Sequence, residues 1–236
     1  MPTVECAALT GPLPRGFRIA FAADFHIRSS TSDAHLDRLC GLLSGMKADL
    51  LLLGGDYGET KAAARRLFDA LSRLRFPCAA YAAVGNNDAE CFEDRDELRA
   101  AARVPLLVNA SARVRVADRV LEIGGVDEMK HGNPDARGLF STEADYRVLL
   151  SHYPVIPDFG GGAPADLILS GHTHGGQVNL LGFTSYSLGF ERGKAAHLAG
   201  LREYGGRKLF VSTGIGMSKL PLRVGAMPRV HVFEFQ

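Results

Sequence analysis

Between Phe17 and Arg103 an apolar run, a polar turn and a helix-period stretch recur three times, and this alternation limits the fold more than any other feature. Phe17–Ala22 (F-R-I-A-F-A) reads as a short buried strand that runs into Ala23-Asp24-Phe25-His26. Ser32 then caps a stretch with Leu36, Leu39, Leu42 and Leu43 at helical spacing. Asp49–Leu53 is a second strand, running into Gly54-Gly55-Asp56, and Thr60 opens the next helix. Cys78–Val84 is a third, running into Gly85-Asn86-Asn87-Asp88, with a charged helix at about Glu93–Arg103. Such a series predicts parallel strands joined by crossover helices. Sites in open α/β sheets lie beyond the carboxyl ends of the strands, so the three polar turns should converge.

The second half changes character. Short strands are expected at Arg113–Val116, Val120–Gly124, Arg147–Leu150, Asp166–Leu169, Ala199–Tyr204, Lys208–Ser212 and Arg229–Phe235. Tyr204-Gly205-Gly206-Arg207 has the form of a hairpin turn. This half reads as a second sheet packed on the first. Two of its strands run into further polar turns, Ser151-His152-Tyr153-Pro154 and Gly171-His172-Thr173-His174.

Composition narrows the function. The chain has 236 residues and is 46% hydrophobic, with no linker, repeat or low-complexity tract, which predicts one domain over residues 1–236. A formal charge of +1, with Lys and Arg scattered, argues against a stable nucleic-acid complex. The four cysteines lack regular spacing and are expected to be reduced and mostly buried, which fits a cytoplasmic setting. The N-terminus has an early acid and no adequate apolar run, so it does not read as a signal peptide. No run of 18 uncharged apolar residues predicts a membrane span.

Five strand ends together carry Asp24, His26, Asp56, Asn86, His152, His172 and His174. Imidazole and carboxylate ligands suit manganese, iron or zinc, whereas calcium and magnesium prefer oxygen alone. Seven ligands exceed one tetrahedral site and fit two ions that share a carboxylate. Ions about 3.5–4 Å apart can hold a phosphoryl oxygen and a hydroxide between them. The H-x-H step at a strand end can send both imidazoles to one side, and the flanking glycines keep bulk away. The lone histidines His35, His197 and His231 fit surface or core positions better than ligand positions.

These turns resemble the signature of the calcineurin-like metallophosphoesterase superfamily: D-x-H, G-D, G-N-H-[D/E], a later histidine with proline two residues on, and G-H-x-H. They stand here as Asp24-Phe25-His26, Gly55-Asp56, Gly85-Asn86-Asn87-Asp88, Ser151-His152-Tyr153-Pro154 and Gly171-His172-Thr173-His174. The extension Gly175-Gly176-Gln177-Val178, and the run from Phe210 to Arg223, resemble a bacterial branch of phosphodiesterases and lipid-diphosphate hydrolases. Many of that branch are membrane-anchored, and this chain shows no anchor. The resemblance implies an α/β fold, a four-layer α/β/β/α sandwich of two mixed sheets flanked by helices. It implies Asp24, His26, Asp56 and His174 around one divalent ion, manganese first, and Asn86, His152 and His172 around a second, with Asp56 bridging. It also implies attack on phosphorus by a metal-bound hydroxide.

One position departs from the pattern. Where the family carries its catalytic histidine, this chain carries Asn87, followed by Asp88, and the catalytic residues expected from the resemblance are Asn87, Asp88 and His131. An amide can donate a hydrogen bond but cannot deliver a proton. The expected bias is toward phosphodiesters or diphosphates and away from simple monoesters, with His131 as a stand-in proton donor. Glu59 stands where relatives have a second Asp and is given a supporting role. Gln177 and Asn179 lie near the substrate or in a hydrogen-bonded turn. Arg223 meets a phosphate or forms a surface ion pair. The partner is then a phosphate-ester or diphosphate substrate, a peripheral lipid included. The competing reading, a non-catalytic metal-binding interaction protein on the same fold, rests on Asn87 alone.

Overall fold

The side chain of Ser32 accepts a hydrogen bond from the His35 amide and starts α1 (Asp33–Gly45); Thr60 does the same through Ala63 for α2 (Lys61–Leu71). Such caps satisfy amides that have no partner within the helix. In this computed structural model residues 1–178, 184 and 197–236 are described. The strands of the first half are β1 (Thr3–Leu9), β2 (Arg18–Ala22), β3 (Leu50–Leu53) and β4 (Ala79–Ala82). Two further helices follow, α3 (Asn86–Cys91) and α4 (Arg95–Ala102). The second half supplies β5 (Ala110–Val116), β6 (Arg119–Gly125), β7 (Tyr146–Leu150), β8 (Leu167–Ser170), β9 (Gly200–Tyr204), β10 (Arg207–Val211) and β11 (Arg229–Phe235).

Two mixed sheets result. The first has the order β1-β11-β2-β3-β4, the second β5-β6-β7-β8-β10-β9. The parallel pairs β2–β3 and β3–β4 are those expected from the alternation. β9 and β10 form the expected hairpin, with Gly205 and Gly206 both at positive φ in its two-residue turn. Two features depart from the sequence reading. β1 was not anticipated, and β11 leaves the second half to lie between β1 and β2, parallel to the former and antiparallel to the latter.

Alternation along the strands sorts their side chains into layers. Ala20, Ala22, Leu51, Leu53, Val230 and Val232 face the helices, with Leu39, Leu67, Phe68 and Leu98 packed on them. The opposite face, with Ile19, Phe21, Leu50, Leu52 and Phe233, meets Ile123, Val148, Leu150, Leu167 and Leu169 of the second sheet. The outer face of the second sheet, Leu149, Ile168, Leu209 and Val211, is covered by Val126, Phe140, Phe159 and Ala165. Those covering residues lie in the irregular connections that precede β7 and β8, so the helices of the described residues flank the first sheet.

The four cysteines are free, as expected. None is fully buried, contrary to expectation: Cys6 lies on the exposed strand β1 and the others are half-buried. No helix among the described residues is long and apolar enough to cross a membrane.

Candidate metal centre

The carboxyl ends of β2, β3, β4, β7 and β8 meet where the two sheets abut, and the expected ligands stand just beyond them, Asn86 as the first residue of α3. Asp24, His26, Asp56, His152 and His174 are all at most 5% exposed. Two ligand sets have donor atoms within 4.8 Å of one another: Asp24, His26 and His174, and Asp24, Asp56 and His152. Oδ2 of Asp56 lies 3.4 Å from His26 Nε2 and 3.5 Å from His152 Nε2, between the two rings. Asn86 and His172 form the adjoining corner, with Oδ1 and Nδ1 2.9 Å apart and the His172 ring 5.2 Å from that of His152.

The backbone is forced into place. Asp24, His26, Asp56, His172 and His174 have φ of 54°, 44°, 57°, 70° and 52°, the left-handed region that non-glycine residues rarely enter. Each such residue costs about 1–3 kcal/mol, which the surroundings must offset. Close packing holds the turns. A Cβ on Gly171 would stand 2.6 Å from Asp24 Oδ2, and one on Gly85 would stand 2.8 Å from Asp56 Cγ. Hydrogen bonds then tie the sheets together: the His172 amide donates to Asp24 Oδ1 (2.9 Å), and His152 Nδ1 lies 2.8 Å from the Gly54 carbonyl.

The outer nitrogens are oriented as a metal ligand requires. Nδ1 of His152 donates to Gly54 O, which turns Nε2 inward, where it is buried and without a hydrogen-bond partner among the described residues. Asp24 Oδ2 is buried and unpartnered as well. Glu59 Oε1 accepts from His26 Nδ1 at 2.7 Å, the carboxylate–histidine pairing that fixes ring orientation around bound ions. Two buried polar atoms without hydrogen-bond partners, facing one cluster of imidazole and carboxylate, are what a divalent transition ion would satisfy once the imidazole proton has left.

Charge follows the same logic. Burial opposes the charged form of His26, but the Asp56 and Glu59 carboxylates outweigh it and hold its pKa up to about 10. Burial likewise opposes charge on His152, and Asp56 raises it to about 9. Asp56 itself is held well below the usual carboxylate range by these two rings, against the effect of burial. Burial pushes His174 down to about 4; Asp24 opposes this, while His26 and Arg223 add to it.

The three residues expected to be catalytic fare differently. Asp88 is a correction: it is fully buried, and its oxygens accept from the Asp56, Gly85 and Tyr57 amides at 2.7, 2.9 and 2.9 Å. Its three bonds hold the Asp56 turn. Asn87 Nδ2 donates to Gly58 O at 2.5 Å, and its amide donates to Asp56 Oδ1 at 2.8 Å. His131 is exposed, with Nε2 3.0 Å from Glu90 Oε1, and touches none of the seven expected ligands.

Arg223 forms no ion pair among the described residues and is bound to backbone carbonyls instead. Its guanidinium donates to the carbonyls of Thr213 (2.7 Å), Ala226 (3.2 Å), His174 (3.3 Å) and Gly216, and Nη2 lies 3.1 Å from His174 Nδ1. Nothing in its sequence context signals this clamp. Gln177 lies in a hydrogen-bonded turn, donating to Ser218 O and Leu220 O. Asn179 lies outside the described residues.

The family model described as calcineurin-like phosphoesterase matches residues 17–176. The chain is 29% identical over 229 residues to the uncharacterized metallophosphoesterase YkuE of Bacillus subtilis, covering 94% of this chain and 79% of that one. It is 29% identical over 227 residues to phosphodiesterase YaeI of Escherichia coli, covering 92% of this chain and 82% of that one. Among solved structures, a sulfate thiohydrolase SoxB from Thermus thermophilus shares the fold at a TM-score of 0.53 and 14% identity. That match covers 95% of this chain and 57% of the other.

Proposed function

The chain belongs to the calcineurin-like phosphoesterase family, and from that membership we propose that it hydrolyses phosphodiester or diphosphate bonds at a centre of two divalent ions. Asp24, His26, Asp56 and His174 hold the first ion, and Asn86, His152 and His172 complete the second, with Asp56 shared. The observation that carries this reading is the cluster itself: five buried side chains able to ligate an ion, Asp56 among them, with Asp24 Oδ2 and His152 Nε2 without a hydrogen-bond partner among the described residues. The name of the YaeI relative, a phosphodiesterase, supports the substrate class. Manganese fits the mixed nitrogen and oxygen donors; iron and zinc suit the same set.

When bound, the ions supply Lewis acidity to the phosphoryl oxygens and lower the pKa of water. The chain's own residues do the rest. Glu59 and the Gly54 carbonyl fix the His26 and His152 rings with Nε2 turned inward. Asp88 pins the Asp56 turn through three amides. At the motif position where relatives place a histidine, Asn87 cannot release a proton, and its amide is already committed to Gly58 O. Lost general-acid catalysis costs about 10²–10⁴-fold where the leaving group is poor. Activated diesters and diphosphates therefore react well and alkyl monoesters poorly. Free cysteines throughout fit a reducing, cytoplasmic setting.

The test is the initial rate on bis-p-nitrophenyl phosphate and on p-nitrophenyl phosphate, with manganese added to metal-stripped protein. A manganese-dependent rate, clearly higher on the diester, is expected. No rate on either, nor on a nucleoside diphosphate ester, with two ions bound per chain, would overturn the reading.

A further inference from the structure

Beside the ligand cluster a cavity of about 360 Å³ opens, and His26 forms part of its wall. The remaining polar lining includes Arg28, Ser30, Thr31, His35 and Arg38, and no carboxylate lines it. Two neighbouring acids are paired: Asp33 with Arg66 at 2.6 Å and Glu59 with His26 at 2.7 Å. Arg38 has no hydrogen bond or ion pair among the described residues. Arg28 reaches across the cavity to the Met217 carbonyl at 3.2 Å, which leaves most of its donors free. The wall is braced from outside, because Arg66 of α2 donates to Thr31 O at 2.8 Å as well as to Asp33. The start of α1, capped by Ser32, borders the same space and adds the positive end of its dipole.

Cations and hydroxyls without an acid to balance them are suited to an oxyanion. We propose that this cavity receives a second anionic group of the substrate: the phosphoryl group of a diphosphate-linked ester that neighbours the one held at the metal centre. This rests on the phosphoesterase reading and narrows it from phosphodiesters at large to diphosphate esters. His26 is common to both sites, so the centre and the cavity adjoin. Arg28 and Arg38 then bind and orient the neighbouring group.

The probe is adenosine 5′-(α,β-methylene)diphosphate, titrated calorimetrically against the manganese-loaded chain beside adenosine 5′-monophosphate. The wild type is expected to bind the diphosphate analogue at least tenfold more tightly. Hydrogen bonds to charged groups are worth enough that losing one guanidinium should remove about tenfold. Arg38→Glu alters an exposed side chain without partners and should fold normally; it is expected to bring the two affinities within about threefold. Arg28→Ala should act in the same direction. An unchanged preference in Arg38→Glu, at unchanged melting temperature, would overturn the proposal while bis-p-nitrophenyl phosphate turnover left the phosphoesterase reading standing. If the wild type binds no manganese and hydrolyses nothing, that reading falls. The same pair titrated without metal then judges the cavity: loss of the preference in Arg38→Glu supports it, and its persistence overturns it. Decyl methylenediphosphonate, run alongside, separates a lipid-linked from a nucleotide diphosphate by which analogue binds more tightly.

Discussion

Gly171→Ala isolates the packing that holds Asp24 in place. Gly171 is not among the glycines with positive φ, so alanine adds no backbone strain there. It adds one methyl group, 2.6 Å from Asp24 Oδ2, 2.9 Å from Ala23 Cβ and 3.2 Å from Asp24 Cγ. Ordinary contact begins near 3.4 Å, so the carboxylate oxygen must retreat by about 0.8 Å. A constellation of ligands tolerates displacements of only about 0.5 Å. Misplacing a group that orients a metal ligand typically costs about 10–100-fold in affinity, and displacing the ligand itself should reach the upper part of that range. Overpacking a filled interior costs about 1–3 kcal/mol. For a chain of this length that lowers the melting temperature by roughly 2–12 °C. Two assays on one preparation separate the effects: a thermal melt of metal-free protein, and competition for manganese against a fluorescent chelator. A lowered melt with manganese affinity within threefold of wild type would refute the claim that Gly171 sets the Asp24 position. An unchanged melt would show that the interior yields to the methyl group.

Ion binding should expel protons. In the ion-free protein the pKa of His26 is about 10 and that of His152 about 9, so both rings are charged at neutral pH. An ion takes Nε2 of each, and both protons must leave. About two protons should be released per centre filled at pH 7, and affinity should climb as pH rises, less steeply above about pH 9, where the His152 proton is lost, and no further above about pH 10, where the His26 proton is lost. Calorimetry in buffers of different ionisation enthalpy counts the protons; fewer than one would contradict the charge assignment. Asp88→Asn turns an amide NH2 toward at least one of the three amides that its carboxylate now receives. Each unmet buried donor costs about 1–3 kcal/mol, so the melting temperature should fall by several degrees and metal affinity with it. A melt equal to wild type would show that those amides do not depend on the carboxylate.

The three strand–turn–helix units were legible because each pairs an apolar run with a helix cap, and those signals are local. Ser32 and Thr60 sit where they must sit for α1 and α2 to begin. The clustered residues were legible because each lies in a short polar turn just beyond a buried strand. β1 was not legible: its sequence, T-V-E-C-A-A-L, is exposed over most of its length and pairs with β11 from the far end of the chain. The departure of β11 to the first sheet is equally non-local, since nothing in R-V-H-V-F-E-F tells which sheet it will join. Within the site, Asp88 looks like any motif carboxylate until the structure shows three amides already bound to it. Arg223 is similar, because its acceptors are backbone carbonyls, which carry no residue identity. The left-handed backbone at Asp24, His26 and Asp56 was hidden for a related reason: these residue types give no sign of the φ that their neighbours impose.

The ligand cluster draws on both sheets, Asp24, His26 and Asp56 from one and His152, His172 and His174 from the other. It stands at the edge of an interface that is otherwise held by apolar contact, which resists separation better than sliding. An ion seated between the two sets therefore works as a rivet. Shear of one sheet over the other becomes a change in ligand spacing, and filling the centre resists that shear throughout the stack. Strands far from the chemistry thus share in its stiffness, although none of their side chains approaches it.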